Sequence, residues 1–489
     1  MRPQYPRRWW LAASYASALL FAVTLGYFLL RIPIQVTDSF TTVLALAEPA
    51  GTLIRSSVQE GYLRPAMWLE LKLVYELSRG AYFDWFRWTQ VVQAALVIAS
   101  FVWLIRPRTR IDALVLPLAL VVLIGHHTMA WTLREAFPIN TYLTIVLCCA
   151  AAANLAFAPH RWWIDVCAVV LFVVAAATVE SGLLVGGIFI VGYLLGLRGV
   201  SRRGLAVVLG LIAAYFVIRF AVLRVGMPSL LARDAGFLFQ RYNADDLERL
   251  FGGHPAIFYV YNVAASVMGL LFAEPRDGVL ALTRTVRAGA MNIPLLIGLV
   301  SSTLATAVIV RYAWRRREAW RRWQLERHDQ IVLLFIAVLG GNAGISYAYT
   351  KDTIMSPAGF LYAAAFFVAC RSLVVDLARA RETTAGAAVS GAAARWRGRL
   401  VHASGVVLLL VLSVTWSIRA VGLHAGLAYT AFKVREQWAY VDEMIARIGY
   451  VPVPPRVAAL KTRLQDDAVT VHPGQPELRE QFLTLFEID

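Results

Sequence analysis

The chain has 489 residues, of which 59% are hydrophobic and only 16% are charged, and its mean hydropathy is +0.61. This composition is too apolar for a soluble globular protein of this length, and it predicts an all-α, polytopic membrane helical bundle. The net charge of +16 comes from arginines clustered between apolar runs. That is the pattern of the positive-inside rule, so the charge does not indicate nucleic-acid binding.

The first apolar run, residues 9–30, contains no charged residue and follows the basic segment "MRPQYPRRWW". It is longer than the apolar region of a signal peptide, and no small-x-small cleavage site closes it. We therefore predict a retained transmembrane helix whose basic N-terminal end lies in the cytoplasm.

Further apolar runs of membrane-crossing length follow, and together with the first they predict about eleven spans. The segment 257–290 would add one or two crossings. A single crossing there would move the Arg-rich segment 311–327 to the outside, so we place 257–273 as an interfacial or re-entrant helix or as one of a crossing pair. The predicted later spans lie near residues 86–105, 111–131, 140–158, 162–179, 181–197, 204–223, 291–310, 330–349, 357–377 and 401–420.

The spans and the loops between them predict one membrane module, residues 1–420, followed by a small outer C-terminal appendage, residues 421–489. Two outer loops are long. The first, residues 39–85, alternates apolar and charged residues at helical spacing, which predicts helices lying in the interface. The second, residues 225–290, carries the interfacial or re-entrant helix.

Several classes of catalytic motif are missing from the sequence. It contains no Walker A loop, no G-x-S-x-G elbow and no H-E-x-x-H helix. His126 and His127 are adjacent, so on a regular helix their side chains diverge and do not favour one shared metal ion. An ATP-driven pump, a lipase and a metalloprotease are therefore not indicated, and no metal ligand is assigned.

Ionisable residues do concentrate at the predicted outer ends of the spans. Such groups are costly near the membrane, and by default they suggest a functional site. Each also has a plain structural interpretation: Asp38 as a helix N-cap, Glu180 as a hairpin tip that reaches the headgroups, and Arg64 as a contact to lipid phosphates. Both interpretations stay open for each residue.

Four short motifs resemble the GT-C superfamily of membrane glycosyltransferases, which includes protein O-mannosyltransferases and bacterial lipid-A and O-antigen glycosyltransferases. They are Asp38 in the first outer loop, "YLRP" at 62–65, "VESGLL" at 179–184 and "YTKD" at 349–352. Two features depart from the usual pattern. Many members have two acids together in the first outer loop, whereas Ser39 follows Asp38 here, and relatives often carry an arginine in the late turn.

The resemblance implies a GT-C-like fold and an inverting transfer of a sugar from a polyprenyl-phosphate donor. The acceptor is a hydroxyl of a glycan, lipid or protein at the periplasmic face of the bacterial inner membrane. Asp38 is the expected catalytic base, and Mg²⁺ or Mn²⁺ would need a second acid beside it. The expected donor phosphate ligands are Arg64, Arg134, Arg219 and Lys351; the candidates for the second acid are Glu60, Glu135, Glu180 and Asp352; and Tyr62, His126 and His127 are further site candidates.

Two other classes of membrane protein also have many transmembrane helices. A transporter or flippase for lipid-linked sugars predicts matched half-repeats and charges at mid-membrane, but the sequence shows no such symmetry. A polymerase or ligase of O-antigen predicts arginines in a large late outer loop. Here the prominent outer loop is the first one.

Replacing Asp38 by Asn tests the predicted base. The amide is nearly isosteric but cannot take the acceptor proton, so we expect sugar transfer to be lost while expression and folding are unchanged. Transfer is measured with the purified variant and its folding by size-exclusion chromatography. Full activity of Asp38→Asn would exclude the assignment.

Overall fold

The computed structural model describes residues 7–33, 42, 45–46, 48–79, 81–134, 141–224, 235–237, 240–242, 244–252, 256–272, 283, 285–290, 293–350, 352–386 and 392–448. These residues form a bundle of α-helices with one small sheet. The helices are α1 (Arg7–Leu29), α2 (Ala50–Gln59), α3 (Pro65–Ser78), α4 (Tyr82–Ile105), α5 (Arg110–Gly125), α6 (His127–Arg134), α7 (Thr141–Ala156), α8 (Trp162–Ala176), α9 (Leu183–Leu194), α10 (Arg202–Phe216), α11 (Ala244–Phe251), α12 (Ala256–Phe272), α13 (Ile293–Arg321), α14 (Arg327–Ile345), α15 (Ser356–Gly386) and α16 (Ala392–Ile448).

The predicted polytopic helical bundle is confirmed. Seven described helices are long and apolar enough to cross a membrane, and α5 with α6 would form an eighth span bent by 58°. Each of the eleven predicted spans coincides with one of these helices or with a shorter apolar one. The seven are Trp9–Leu29, Asp84–Ile105, Arg202–Val222, Ile293–Arg321, Arg327–Ile345, Asp352–Ala380 and His402–Glu436, and the shorter ones are Thr141–Ala156, Trp162–Ala176, Glu180–Leu194 and Ala256–Phe272.

Helix α15 lies at the centre of the bundle. Every residue from Met355 to Cys370 is buried, and helices α5, α13, α14 and α16 pack around it. A helix that is apolar on all sides is stable only when other helices surround it. Small residues such as Ala363, Ala364 and Ala365 let those neighbours approach closely.

Contacts join the predicted inner loops at one end of the bundle, which we call the basic end: residues 104–112, 156–165, 195–204, 311–330 and 371–376. Side chains or backbone N–H groups of one segment bond to the backbone or acids of another, so these loops meet in space as the charge pattern predicts. The contacts are Arg327 Nη2 to Leu104 O at 2.6 Å, Gln330 Nε2 to Leu195 O at 3.0 Å, Gly199 N to Ala156 O at 2.9 Å, Arg311 Nη2 to Asp376 Oδ2 at 2.7 Å, and Arg371 to Asp112.

The opposite end, which we call the site end, joins the predicted outer segments. The backbone N–H of Ala66, at the start of α3, donates to Ala177 O just after α8 at 2.9 Å. Asn342 Nδ2 of α14 donates to Ile354 O in the late turn at 3.0 Å. The first outer loop therefore contains helices, α2 and α3, and α3 is anchored to the bundle through the α8–α9 turn.

A small sheet also lies at the site end and was not predicted. Strand β1 (Ala235–Phe237) pairs antiparallel with β2 (Gln240–Tyr242) and parallel with β3 (Tyr349–Thr350), with Gly236 opposite Tyr349. Two- and three-residue strands carry too little pattern to be recognised in a sequence. The pairing brings the second long outer loop against the "YTKD" turn.

The interfacial placement of 257–273 is wrong, because α12 enters the bundle. Asn262 Nδ2 donates to Tyr347 O at 3.1 Å at the site end, while Leu271 O accepts from Thr306 Oγ1 of α13 at 2.6 Å. Leu270 is only 1% exposed. The described part of α12 therefore packs inside the bundle, as a re-entrant helix or a crossing would.

The predicted boundary at residue 420 falls inside a continuous helix. Helix α16 has 57 residues and runs without a break to Ile448, so residues 421–448 continue the last span instead of starting a separate appendage. The rest of the predicted appendage, residues 449–489, lies outside the described residues.

The hairpin between α13 and α14 depends on Asp329, which is fully buried and accepts hydrogen bonds from Arg316 Nε, Arg316 Nη2, Tyr312 Oη, Trp320 Nε1 and the backbone N–H of Glu326. We expect Asp329→Asn to destabilise the protein by about 2–3 kcal/mol, because the amide replaces one acceptor oxygen with N–H groups that face the donors of Arg316 and Glu326. The measurement is the thermal unfolding midpoint in detergent. Glu318→Gln is the control, since Glu318 is 58% exposed and pairs only at the surface; equal midpoints for the two variants would contradict the prediction.

Candidate functional site

The turn between α8 and α9 is tight and presents Glu180 at the site end. A 3₁₀ turn covers Glu180–Gly182 and leads directly into α9. A Cβ on Gly182 would lie 1.9 Å from Ala175 O, so only glycine lets this turn fold back on the end of α8. The Glu180 side chain is consequently held near the bundle surface and is only 18% exposed.

The Glu180 carboxylate bonds to two arginines that are far apart in the sequence. Arg64 Nη2 donates to Oε2 at 3.0 Å, and Arg219 Nη2 donates to Oε1 at 2.9 Å. Arg64 immediately precedes α3, where Pro65 occupies the first helical position. Arg219 lies in a π-helical turn, Val217–Val222, that continues α10. We call Arg64, Glu180 and Arg219 the Arg–Glu–Arg cluster.

The Arg–Glu–Arg cluster has two positive charges and one negative charge. Arg219 is only 4% exposed and Arg64 is 26% exposed, so water screens these charges poorly. Burial alone would lower the pKa of Arg64, but the Glu180 carboxylate outweighs it and the pKa of the guanidinium is raised. Both arginines therefore stay charged, and the cluster has a net charge of +1 that favours an anion.

Buried hydrogen-bond donors accompany this charge. Among the described residues, Arg64 Nε, Arg219 Nε and Trp68 Nε1 are buried without a hydrogen-bond acceptor, Trp68 lying one helical turn after Arg64. A buried donor without an acceptor costs about 1–3 kcal/mol. All three atoms are N–H donors, so an oxygen-rich anion is the ligand that complements them.

Two tyrosines flank the arginines. Arg219 Nη1 donates to Tyr215 Oη at 2.6 Å, and the Arg64 Cζ lies 4.4 Å from the centre of the Tyr62 ring. A guanidinium over an aromatic face is attracted by the ring, which also fixes its orientation. Tyr62 is thus the fourth predicted site residue that the structure brings to this position.

His126, His127 and Asp352 form a second polar group, near the α5–α6 break. His127 Nε2 lies 3.7 Å from Asp352 Oδ1. His126 is fully buried, and its ring nitrogens face Leu270 O and Thr128 Oγ1, each at 2.9 Å. The expectation that the two imidazoles diverge is wrong: their rings are 4.3 Å apart, because the helix breaks at His126, whose backbone is extended.

Two of the other predicted residues have described contacts elsewhere in the fold. Glu60 is exposed at the end of α2 and bonds to Ser56 Oγ at 3.4 Å. Arg134, the last residue of α6, packs closely against Gly426 of α16. Asp38, Glu135 and Lys351 lie outside the described residues.

Within the described residues, no group of three or more His, Cys, Asp or Glu side chains could hold a metal ion.

Sequence reasoning missed two groups of buried polar residues. Glu70 of α3 accepts from Gln93 Nε2 and Thr144 Oγ1, each at 2.8 Å, and burial raises the pKa of its carboxyl group. Arg87 and Gln90 lie near the start of α4, with 3% and 0% exposure. The sequence feature that could have identified both groups is a charged or amide side chain inside an apolar helical run.

Comparison with known proteins gives little guidance. The chain matches no family in a scan of protein families, and no curated protein matches it. Among solved structures it is similar to the archaeal oligosaccharyltransferase AglB from Archaeoglobus fulgidus, in complex with an inhibitory peptide and a dolichol-phosphate. The sequence identity is 14% and the TM-score 0.41, over 98% of this chain and 60% of that one. The chain thus spans less than two thirds of that protein.

Gly182 and Gly187 form a matched pair that tests the turn. Gly182→Ala should displace the turn and lower the yield of folded protein, because its Cβ would overlap the backbone of α8. Gly187→Ala should leave the yield unchanged, because a Cβ there meets nothing within 4 Å. Size-exclusion chromatography in detergent gives the measurement, and a normal yield for Gly182→Ala would contradict the described turn.

Proposed function

We propose that this membrane protein is an inverting glycosyltransferase that moves a sugar from a polyprenyl-phosphate donor to an acceptor hydroxyl at the site end. The observation that carries the proposal is the Arg–Glu–Arg cluster, a positively charged group at the end of an apolar bundle whose buried N–H donors have no acceptor among the described residues. A lipid-linked phosphate matches both features, since its chain is apolar and its headgroup is anionic.

The arginines would act on the leaving phosphate. As the bond between the sugar carbon and the phosphate oxygen breaks, its electron pair stays on the oxygen and negative charge develops there. Arg64 and Arg219 offer guanidinium N–H groups that bind such oxygens and are pre-oriented by Glu180 and by the flanking tyrosines. In this proposal Glu180 holds the two cations in place and is not the base.

Asp38 remains the proposed base. Its carboxylate would accept the acceptor's hydroxyl proton while the acceptor oxygen attacks the sugar carbon on the face opposite the phosphate, which inverts that carbon. Glu135 is retained as the proposed second acid, and Lys351 and Arg134 as further cations. Asp38 and a second acid would supply the hard oxygen ligands that Mg²⁺ or Mn²⁺ prefers. Such an ion would add positive charge that stabilises the leaving phosphate.

The distribution of arginines supports an orientation of the protein in the membrane. The basic end contains the Arg-rich part of α13, and positively charged loops are retained in the cytoplasm. We therefore propose a bacterial inner-membrane protein with its N-terminus in the cytoplasm and its site end in the periplasm. The acceptor would be a glycan, lipid or protein on that side.

A turnover assay with Arg219→Gln tests the function. Purified protein is incubated with polyprenyl-phosphate sugars of several kinds, and release of polyprenyl phosphate is measured. We expect release by the wild type and a loss of about 10²-fold in Arg219→Gln, the size of effect seen when a preorganised donor to a developing negative charge is removed.

Arg202→Gln is the matched control. Arg202 lies at the opposite end of the same helix and also donates to a tyrosine, with Arg202 Nε 3.2 Å from Tyr193 Oη. The Arg202→Gln variant should release polyprenyl phosphate at the wild-type rate. No release from any donor, with bound lipid recovered from the wild type, would contradict the enzyme and favour a transporter.

A further inference from the structure

The turn between α4 and α5 presents two arginines at the basic end. Helix α4 ends at Ile105, Arg106 adopts the left-handed backbone conformation with φ 51°, and Pro107 follows, which prevents the helix from continuing. The backbone N–H of Arg108 donates to Asp112 Oδ2 at 2.8 Å, so the start of α5 holds the turn. Arg106 is half-buried and Arg108 is exposed. Neither side chain has a hydrogen bond or an ion pair with a described residue.

Arg327, the first residue of α14, brings a third guanidinium to this turn. Its Nη2 donates to Leu104 O at 2.6 Å, and its Cζ lies 4.3 Å from the centre of the Phe157 ring, just after α7. The charges of Arg106 and Arg108 act on this guanidinium, and no carboxylate of the described residues offsets them. The ends of α4 and α7 and the start of α14 therefore meet around three cations, Arg106, Arg108 and Arg327, which we call the arginine triad.

The arginine triad differs from its paired neighbours at the basic end. Arg311 and Arg316 have carboxylate partners, Asp376 and Asp329. In the triad, Arg327 Nε is buried without an acceptor among the described residues. Like charges close together repel each other, and a buried charged donor without an acceptor is costly. An anion with several oxygens removes both costs, because it adds negative charge and accepts hydrogen bonds from the guanidinium groups.

The level of the triad in the membrane indicates the source of such an anion. Trp103, one turn before Arg106 on a helix long and apolar enough to cross a membrane, is 67% exposed. Trp162, which starts α8 at the same end of the bundle, is 76% exposed. Tryptophans at the ends of transmembrane helices are typical of the headgroup region, and basic clusters between helices at the cytoplasmic face are typical binding sites for anionic headgroups. The triad therefore lies where phospholipid phosphates are present.

We propose that the arginine triad binds the phosphate of an anionic phospholipid of the leaflet at the basic end. The buried Nε of Arg327 and the guanidinium groups of Arg106 and Arg108 donate to the phosphate oxygens. A zwitterionic headgroup fits less well, because its ammonium group would meet three guanidinium groups. The inference is independent of the proposed function, since the triad lies at the opposite end of the bundle from the Arg–Glu–Arg cluster.

Lipid binding is measured on the full chain purified in a non-ionic detergent. Phosphatidylglycerol is added in steps and the thermal unfolding midpoint is recorded, with phosphatidylcholine and inorganic phosphate as parallel additions. A ligand that binds only the folded state raises the midpoint in a saturable manner. We expect this rise with phosphatidylglycerol, and no rise with phosphatidylcholine or inorganic phosphate at the same concentrations.

Arg327→Gln and Arg108→Gln test the residues of the site. Each removes one charged donor to the phosphate, so the half-maximal concentration of phosphatidylglycerol should rise at least about 10-fold. Arg327→Gln also loses the bond to Leu104 O, which can lower the stability of the protein. Arg108→Gln should fold normally, because the Arg108 side chain is exposed and has no described partner.

Arg321→Gln is the matched control. It removes the same charge at the basic end, but Arg321 is 73% exposed and bonds to Glu318. Its half-maximal concentration of phosphatidylglycerol should change less than about twofold, because an exposed charge outside the site adds little to binding.

Three results would overturn the inference. An equal change in Arg321→Gln and Arg108→Gln would mean that phosphatidylglycerol responds to surface charge in general. An unchanged midpoint of the wild type with phosphatidylglycerol would exclude the lipid site. A rise with inorganic phosphate alone, lost in the triad variants, would mean that the site takes free phosphate and that the lipid assignment fails. A saturable rise with phosphatidylglycerol that only the triad variants weaken supports the inference, whether or not the protein transfers sugars.

Discussion

The ion pairs of Glu180 hold together three parts of the chain that carry the candidate site. Arg64 comes from the first outer loop, Glu180 from the turn between α8 and α9, and Arg219 from the π-helical end of α10. In an apolar bundle an isolated charge at this depth is costly, whereas a carboxylate between two guanidinium groups offsets much of that cost. The three residues together have a net charge of +1, which favours an anion.

The two ends of the bundle use arginine differently. At the basic end, several buried or half-buried acids each receive arginine donors, as Asp329 does from Arg316 and Asp376 from Arg311, so those arginines serve to join neighbouring helices. At the site end, Arg64 and Arg219 share one acid and Arg87 bonds to carbonyls. Arg311 and Arg316 therefore pair with separate acids at the basic end, whereas the described arginines at the site end share one acid or bond to backbone carbonyls.

At several helix ends, side chains of neighbouring helices donate hydrogen bonds to backbone carbonyls. The last carbonyls of a helix have no partner within it, and in a membrane water is not available to bind them. Here side chains of neighbouring helices donate to carbonyls in the last turn of a helix or in the few residues just after it, which couples the position of one helix end to the next. The pairs are Arg87 with Ile32 and Pro33, Gln90 with Leu133, Arg327 with Leu104, Gln330 with Leu195, and Thr306 with Leu271. The Arg87 and Gln90 bonds join the segment just after α1 to α4 and α6.

The sequence by itself determined the helical membrane class of the protein, the positions of its apolar helices and the conspicuous cost of Glu180, because hydropathy and charge act over short stretches of chain. Tertiary structure alone decided which charges meet: Arg64 and Glu180 are 116 residues apart, and no local pattern encodes that pairing. It likewise decided the break at His126, the entry of α12 into the bundle and the unbroken course of α16, each of which depends on packing against distant helices. Asp38, Glu135 and Lys351 remain sequence-based predictions, whereas the Arg–Glu–Arg cluster exists only because the fold brings three separate helix ends to one place.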